Sequence, residues 1–195
     1  MKEKEIETKA VTREDIVAAV IKMLHKEGFE KINARSVGRA LNMSTKPIYR
    51  LYKSMDELIE EVENTVHIFY ENYVDNHIDN SNPVASMCIA HVEFAEKYKN
   101  YFKRLFLAKN LAWNKLDDIL NEKLNQSIVV NMVNKHGFSF KDAKEFFTDM
   151  WLYTNGLATT MATNDIKITK EEIANQINHI YKILIVKYEN TKQKV

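Results

Sequence analysis

The stretch from Asn33 to Tyr52, NARSVGRALNMSTKPIYRLY, constrains the chain more than any other. Asn33 is a good helix cap, and Val37, Ala40 and Leu41 follow it at helical spacing. Asn42 tolerates the left-handed backbone that a tight turn needs. Ser44 is expected to cap a second helix, with Pro47 in its first turn, where a missing N–H has no helical partner anyway. Ile48 and Leu51 then face inward and leave Thr45, Lys46, Tyr49 and Arg50 outside. Gly38, in mid-helix, costs roughly 1 kcal/mol against Ala, which predicts a close approach at that point.

Two short helices joined by a tight turn, the second with small, cationic and phenolic groups outward, form a helix-turn-helix suited to the major groove of DNA. Lys46 and Arg50 have the reach for phosphates or guanine edges. Thr45 suits a base or a thymine methyl, and Tyr49 a phosphate. Each residue alone favours a solvated helix face; the ordered set of cap, turn and spacing favours DNA.

Net charge over the chain is +1, but its distribution is uneven. Residues 1–53 hold 12 Lys and Arg against 7 Asp and Glu, and the remainder holds 16 against 20. A basic head on a mildly acidic body fits nucleic-acid binding. Arginine is confined to Arg13, Arg35, Arg39, Arg50 and Arg104, four of them in the head. Its forked contacts to phosphate and guanine are ones lysine cannot copy. With 4 Gly, 2 Pro and no strand-like alternation, an all-α chain is expected. No apolar run approaches the ~18 residues that span a membrane. The N-terminus carries no apolar signal core and Cys88 is the single cysteine, so the expected location is the cytoplasm.

The head is expected to begin with a loose arm over residues 1–11. A capping box at Thr12 and Asp15 then opens a helix that buries Ile16, Val20, Met23 and Leu24 and stops at Gly28. Phe29 and Ile32 close the small core. A further helix is expected from Met55 to the mid-70s, with Leu58, Val62, Thr65, Phe69 and Tyr73 on one stripe.

The run STKPIYRLYKSMDELI resembles the recognition helix and following linker of TetR-type (TetR/AcrR) transcriptional regulators. In that family a serine-led helix carries a tyrosine, then an aromatic, a charged turn, and an acidic-then-leucine start to the next helix. The resemblance covers about residues 12–60. It implies DNA contacts at Asn33 and Arg35, and at Ser44, Thr45, Lys46, Tyr49 and Arg50 on the recognition helix. Three positions depart from the family pattern: Gly38 stands for the usual alanine, Asn42 for the turn glycine, and Met55 for a phosphate-binding lysine. Lys53 is the nearest cation to that last position.

The boundary between head and body is expected at 58/59, giving a DNA-binding domain over 1–58 and a helical ligand-binding and dimerisation domain over 59–195. Asp79 to Pro83, DNSNP, is the clearest break. Beyond it, apolar periodicity predicts a helix through Met87, Ala90, Val92, Phe94, Ala95 and Tyr98, and another through Phe102, Leu105, Phe106 and Leu107. A third takes in Leu116, Ile119, Leu120, Leu124, Ile128 and Met132. The last two helices start after Ser139 and at the Thr169–Glu172 capping box. The resemblance implies that these last two form a four-helix interface in a homodimer, with Leu157, Met161, Ile177, Ile180 and Leu184 as the contact stripe. It also implies a small-molecule effector. The large apolar side chains that would surround one are Phe69, Tyr73, Phe94, Tyr98, Phe102, Phe106, Trp113, Phe147, Met150 and Trp151, although aromatic stripes at helical spacing are more often plain core.

No phosphate-binding glycine loop, HExxH or paired cysteines occur, and Asp75, His77 and Asp79 are spaced to spread around a helix. No metal, cofactor or enzymatic activity is therefore expected. The combined expectation is a ligand-responsive repressor that binds a palindromic double-stranded DNA operator as a dimer. The alternative is an all-α ligand-binding protein that acts through a protein partner, without sequence-specific DNA binding.

Overall fold

The computed structural model describes residues 10–108, 118, 120 and 123–192. Among these residues the chain is helical and contains no strand. The elements are α1 (Arg13–Glu27), α2 (Ala34–Ala40), α3 (Lys46–Leu51), α4 (Met55–Asp75), α5 (Pro83–Lys97), α6 (Lys99–Phe102), α7 (Lys123–His136), α8 (Phe140–Thr163) and α9 (Lys170–Lys192). A 3-10 turn spans Phe29–Lys31, and α6 runs into a π-helical turn, Lys103–Leu107. Two compact units form, Met1–His67 and Ile68–Val195, with the boundary inside α4. No helix among the described residues is long and apolar enough to cross a membrane.

The first unit is built on local chemistry. Thr12 and Asp15 form the reciprocal cap of α1, and Gly28 ends it at φ 84°. Asn33 Oδ1 accepts from the N–H groups of Arg35 and Ser36 at 3.1 Å each, which fixes the start of α2. Its end is a Schellman turn: Met43 N–H donates to the Gly38 carbonyl and Asn42 N–H to that of Arg39. Asn42 supplies the left-handed residue, at φ 51°. Glycine is at ease there, so Asn42→Gly is expected to hold or raise stability by a few tenths of a kcal/mol, whereas a β-branched residue lowers it. Urea melts of the three proteins check the order.

Gly38 serves the close approach: a Cβ built on it would stand 2.8 Å from the Met43 carbonyl oxygen. Ser44 does not cap α3. Thr45 occupies the cap position with helical backbone and without a side-chain bond, and Pro47 removes one of the N–H groups that a cap would serve. Ile16, Val20 and Leu24 of α1, Val37, Ile48, Tyr52 and Leu58 close the core.

Arg13 ties this unit together. Its Nε and Nη2 reach Glu61 Oε2 at 3.0 and 2.6 Å, and Nη1 donates to the Leu51 carbonyl at 3.0 Å. Glu57 lies at 3.2 Å, and the guanidinium covers the Tyr52 ring at 4.0 Å. On α4 the buried stripe runs Leu58, Val62, Val66, Val74; Thr65 is exposed, because a step of one residue turns the side chain by about 100°.

The second unit is organised on α5. Asn82 caps it by accepting from Ala85 N–H, with Pro83 in the first turn. Ten of its fifteen residues are buried, so it is enclosed rather than amphipathic. Glu93, buried among them, pairs with Lys170 Nζ at 3.4 Å. The pairing of α5 with α8 is the most extensive among the described helices, and Ala85, Ala90 and Ala95 of α5 and Ala158 and Ala162 of α8 are all buried. Small side chains let helix backbones approach closely. Ser139 caps α8 and Thr169 with Glu172 boxes the start of α9. Tyr188 O–H and Lys187 both donate to Asp149 at 2.9 Å, pinning the end of α9 to α8. Trp113, Leu116, Ile119 and residues 1–9 of the expected arm over 1–11 lie outside the described residues.

Candidate functional site

The α2–turn–α3 segment forms an open groove of about 720 Å³, lined by Asn33, Arg35, Arg39, Met43, Ser44 and Thr45. Four of the expected contact residues, Asn33, Arg35, Ser44 and Thr45, therefore share one surface. Lys46, Tyr49 and Arg50 lie on the exposed part of α3, and Tyr49 is 53% exposed, unusual for an aromatic residue in a packed head. Lys53 is exposed just beyond it. Arg39 also lines the groove; its spacing of four from Arg35 puts both on one face of α2, a signal the sequence carried.

The charges divide into two kinds. Arg35, Arg39, Lys46 and Arg50 are exposed and make no ion pair among the described residues. Arg13 does not belong with them, since Glu57 and Glu61 occupy its guanidinium. Lys53 has a local anion: its backbone N–H donates to Glu57 Oε2 at 2.7 Å, the main reason Glu57 titrates below the usual carboxylate range, and its ammonium adds to that effect. Met55, half-buried at the start of α4, offers no cation. Asn33 spends its side-chain oxygen on the α2 cap, which leaves its NH₂ as the donor for a partner. Such a surface combines cations, hydroxyls and a phenol without bound counter-charge, the complement of a phosphate backbone.

In the second unit the expected pocket residues pack on one another. Phe94 lies 5.1 Å from Tyr98 and 5.4 Å from Tyr73 between ring centroids; Phe69 lies 5.1 Å from Tyr98, and Phe102 5.0 Å from Phe106. Phe94, Phe102, Phe147 and Met150 are fully buried, Trp151 is half-buried, and Phe69 is 39% exposed. The expected interface stripe divides as well. Met161, Ile177 and Leu184 are buried in the chain's own packing, and Leu157 and Ile180 are half-buried. The exposed large apolar residues on α8 and α9 are instead Phe140, Leu152, Tyr153, Ile183 and Val186.

Cys88 and His91 are enclosed on α5. Burial pushes the Cys88 thiol up to about 12, so it stays protonated and a poor nucleophile. His77 Nδ1 lies 2.6 Å from the Tyr73 carbonyl oxygen and its ring stacks on Tyr73. Asp79 accepts from Ser81 N–H and O–H.

Burial lowers His91 to about 4. An unfolded imidazole titrates near 6.5, so between about pH 6.5 and 4 the unfolded chain binds a proton that the folded chain refuses. Stability from this group is therefore full above 6.5 and is lost on acidification, by about 2–3 kcal/mol at pH 4.5. Denaturant melts at pH 7 and 4.5 should show a smaller acid loss in His91→Phe than in the wild type.

Comparison with protein-family models gives no match for this chain, and comparison with curated proteins gives none either.

Proposed function

We propose that the chain is a TetR-like, dimeric DNA-binding transcriptional regulator, a ligand-responsive repressor of a palindromic operator. The observation that carries this reading is the exposed cation set of Arg35, Arg39, Lys46 and Arg50, without ion pairs among the described residues, gathered with Tyr49 and Thr45 around the α2–turn–α3 segment. In this reading α2 and α3 are the helix-turn-helix and α3 enters the major groove. Arg35, Arg39 and Lys46 neutralise phosphate, and Arg50 reads base edges.

A dimer is required because one six-residue recognition helix reads too little sequence, and paired helices read half-sites about one helical turn apart. The exposed apolar residues Leu152, Tyr153, Ile183 and Val186 support a second copy as their cover. Sedimentation at micromolar concentration is expected to give a dimer. Leu152→Lys with Val186→Lys is expected to give a folded monomer with weakened operator affinity. A monomeric wild-type chain would contradict the operator model. An effector in the second unit acts only as far as its affinity differs between the operator-bound and released forms.

Met55 and the Glu57 carboxylate beside Lys53 favour a second reading, a ligand-binding protein that works through a protein partner. Titration of duplex DNA at low salt separates the two. The regulator binds with an affinity that falls steeply as salt rises, and the rival does not bind.

A further inference from the structure

The seam between α5 and α8 holds polar atoms that the packing leaves unsatisfied. His91 Nε2, Thr154 Oγ1 and Asn155 Oδ1 are each shut off from solvent and have no hydrogen-bond partner among the described residues. His91 is 5% exposed and Thr154 3%. Buried polar atoms are paired in the great majority of cases, because an orphan costs about 1–3 kcal/mol. Three of them on two facing helices form a cluster of unpaired polar atoms in the seam. Asn155 stands near enough to His91 to bias its protonation, and Thr154 stands in the same relation to Cys88, yet His91 and Asn155 do not meet at hydrogen-bond geometry.

The walls are aromatic. Phe102 and Phe106 place ring centroids 5.2 and 5.0 Å from the imidazole, and Tyr70 closes a third side at 5.7 Å. Phe106 is delivered by the π-helical turn Lys103–Leu107, a backbone irregularity common at binding sites. Tyr70 Oη lies 2.8 Å from His91 Nδ1. A phenol O–H is more acidic than an imidazole N–H, so Tyr70 donates and the ring proton sits on Nε2. Nε2 is then a donor without an acceptor, and Asn155 Oδ1 an acceptor without a donor. A hydroxyl group satisfies both at once. A carboxylate does not fit, because surroundings that keep the imidazole neutral also refuse an anion.

We propose that the α5–α8 seam binds a small uncharged molecule with an apolar, ring-sized body and one hydroxyl, which accepts from His91 Nε2 and donates to Asn155 Oδ1. Phe102, Phe106 and Tyr70 hold the body. As the effector of the regulator this molecule rests on the function proposed above; the binding itself does not.

The test uses the full chain without DNA and three probes: phenol, toluene and benzoate. Calorimetric titration and melting temperature are the readouts. Phenol is expected to bind saturably and raise the melting temperature, toluene to bind on the order of tenfold more weakly, and benzoate not to bind. His91→Phe keeps a ring in the seam but removes the donor, and is expected to abolish the preference for phenol. Asn155→Leu removes the acceptor from the facing helix and should do the same, so the test survives failure of either variant to fold. Toluene bound as tightly as phenol, or a preference that persists in a folded variant, would overturn the proposal. So would no binding of any probe. A separate arm adds phenol to the chain on duplex DNA. Phenol that binds the chain while the chain shows no affinity for DNA counts against the regulator and leaves the site standing.

Discussion

Gly38→Val is expected to destabilise the first unit by about 1–3 kcal/mol and to abolish duplex binding at concentrations where the wild type saturates. The new Cβ would meet the Met43 carbonyl oxygen at 2.8 Å, and that oxygen is backbone held by the Schellman turn rather than a side chain that can swing aside. Relief requires the α2–α3 turn to open, which moves α3 against α2 and disperses the groove shared by Arg35, Arg39, Ser44 and Thr45. The matched control is Gly156→Ala. A Cβ there meets nothing within 4 Å, so the better helix former raises stability by up to about 1 kcal/mol. Urea melts with unchanged slope read both effects. A Gly38→Val protein as stable as the wild type would remove the close approach from the account.

The second large effect is on affinity. Lys46→Ala with Arg50→Ala should leave the fold intact, since both side chains are exposed and outside the ion pairs. Duplex affinity is expected to fall about 30- to 1000-fold for each half-site, the sum of one phosphate contact and one base-reading arginine per protomer. The single variants divide the roles. Lys46→Ala should make the dependence of log affinity on log salt shallower by about 2, one phosphate contact from each protomer of the dimer. Arg50→Ala should relax base preference at one position in each half-site. A uniform loss over all sequences would make Arg50 a phosphate contact instead, and an unchanged salt slope would take Lys46 off the DNA.

What the sequence made legible was local. Thr12 with Asp15, Gly28, Asn33, Asn42, Pro83, Ser139 and Thr169 with Glu172 mark helix ends through chemistry contained within a few residues, and the helices start and stop beside them. The exposure of Lys46, Tyr49 and Arg50 followed from the period of one short helix.

Long-range relations stayed hidden. Arg13 reads as one more head cation until the fold brings Glu57 and Glu61, 44 and 48 residues away, onto its guanidinium. Met161, Ile177 and Leu184 look like an interface because an apolar stripe does not declare whether its own chain or a partner covers it. Val66 replaced Thr65 on the α4 stripe because a single-residue shift changes the face. The cluster of unpaired polar atoms was invisible for the same reason as Arg13: His91 acquires its meaning from Tyr70, Phe106 and Asn155, on three other elements.

The central claim is that the α2–turn–α3 surface reads DNA sequence. Selection of bound duplexes from a random pool by the full chain tests it most directly. The account predicts an enriched motif with two-fold symmetry and half-sites about one helical turn apart, lost in the Lys46→Ala, Arg50→Ala protein. A pool that stays random after repeated rounds with folded wild-type chain would contradict it and leave the protein-partner reading in its place.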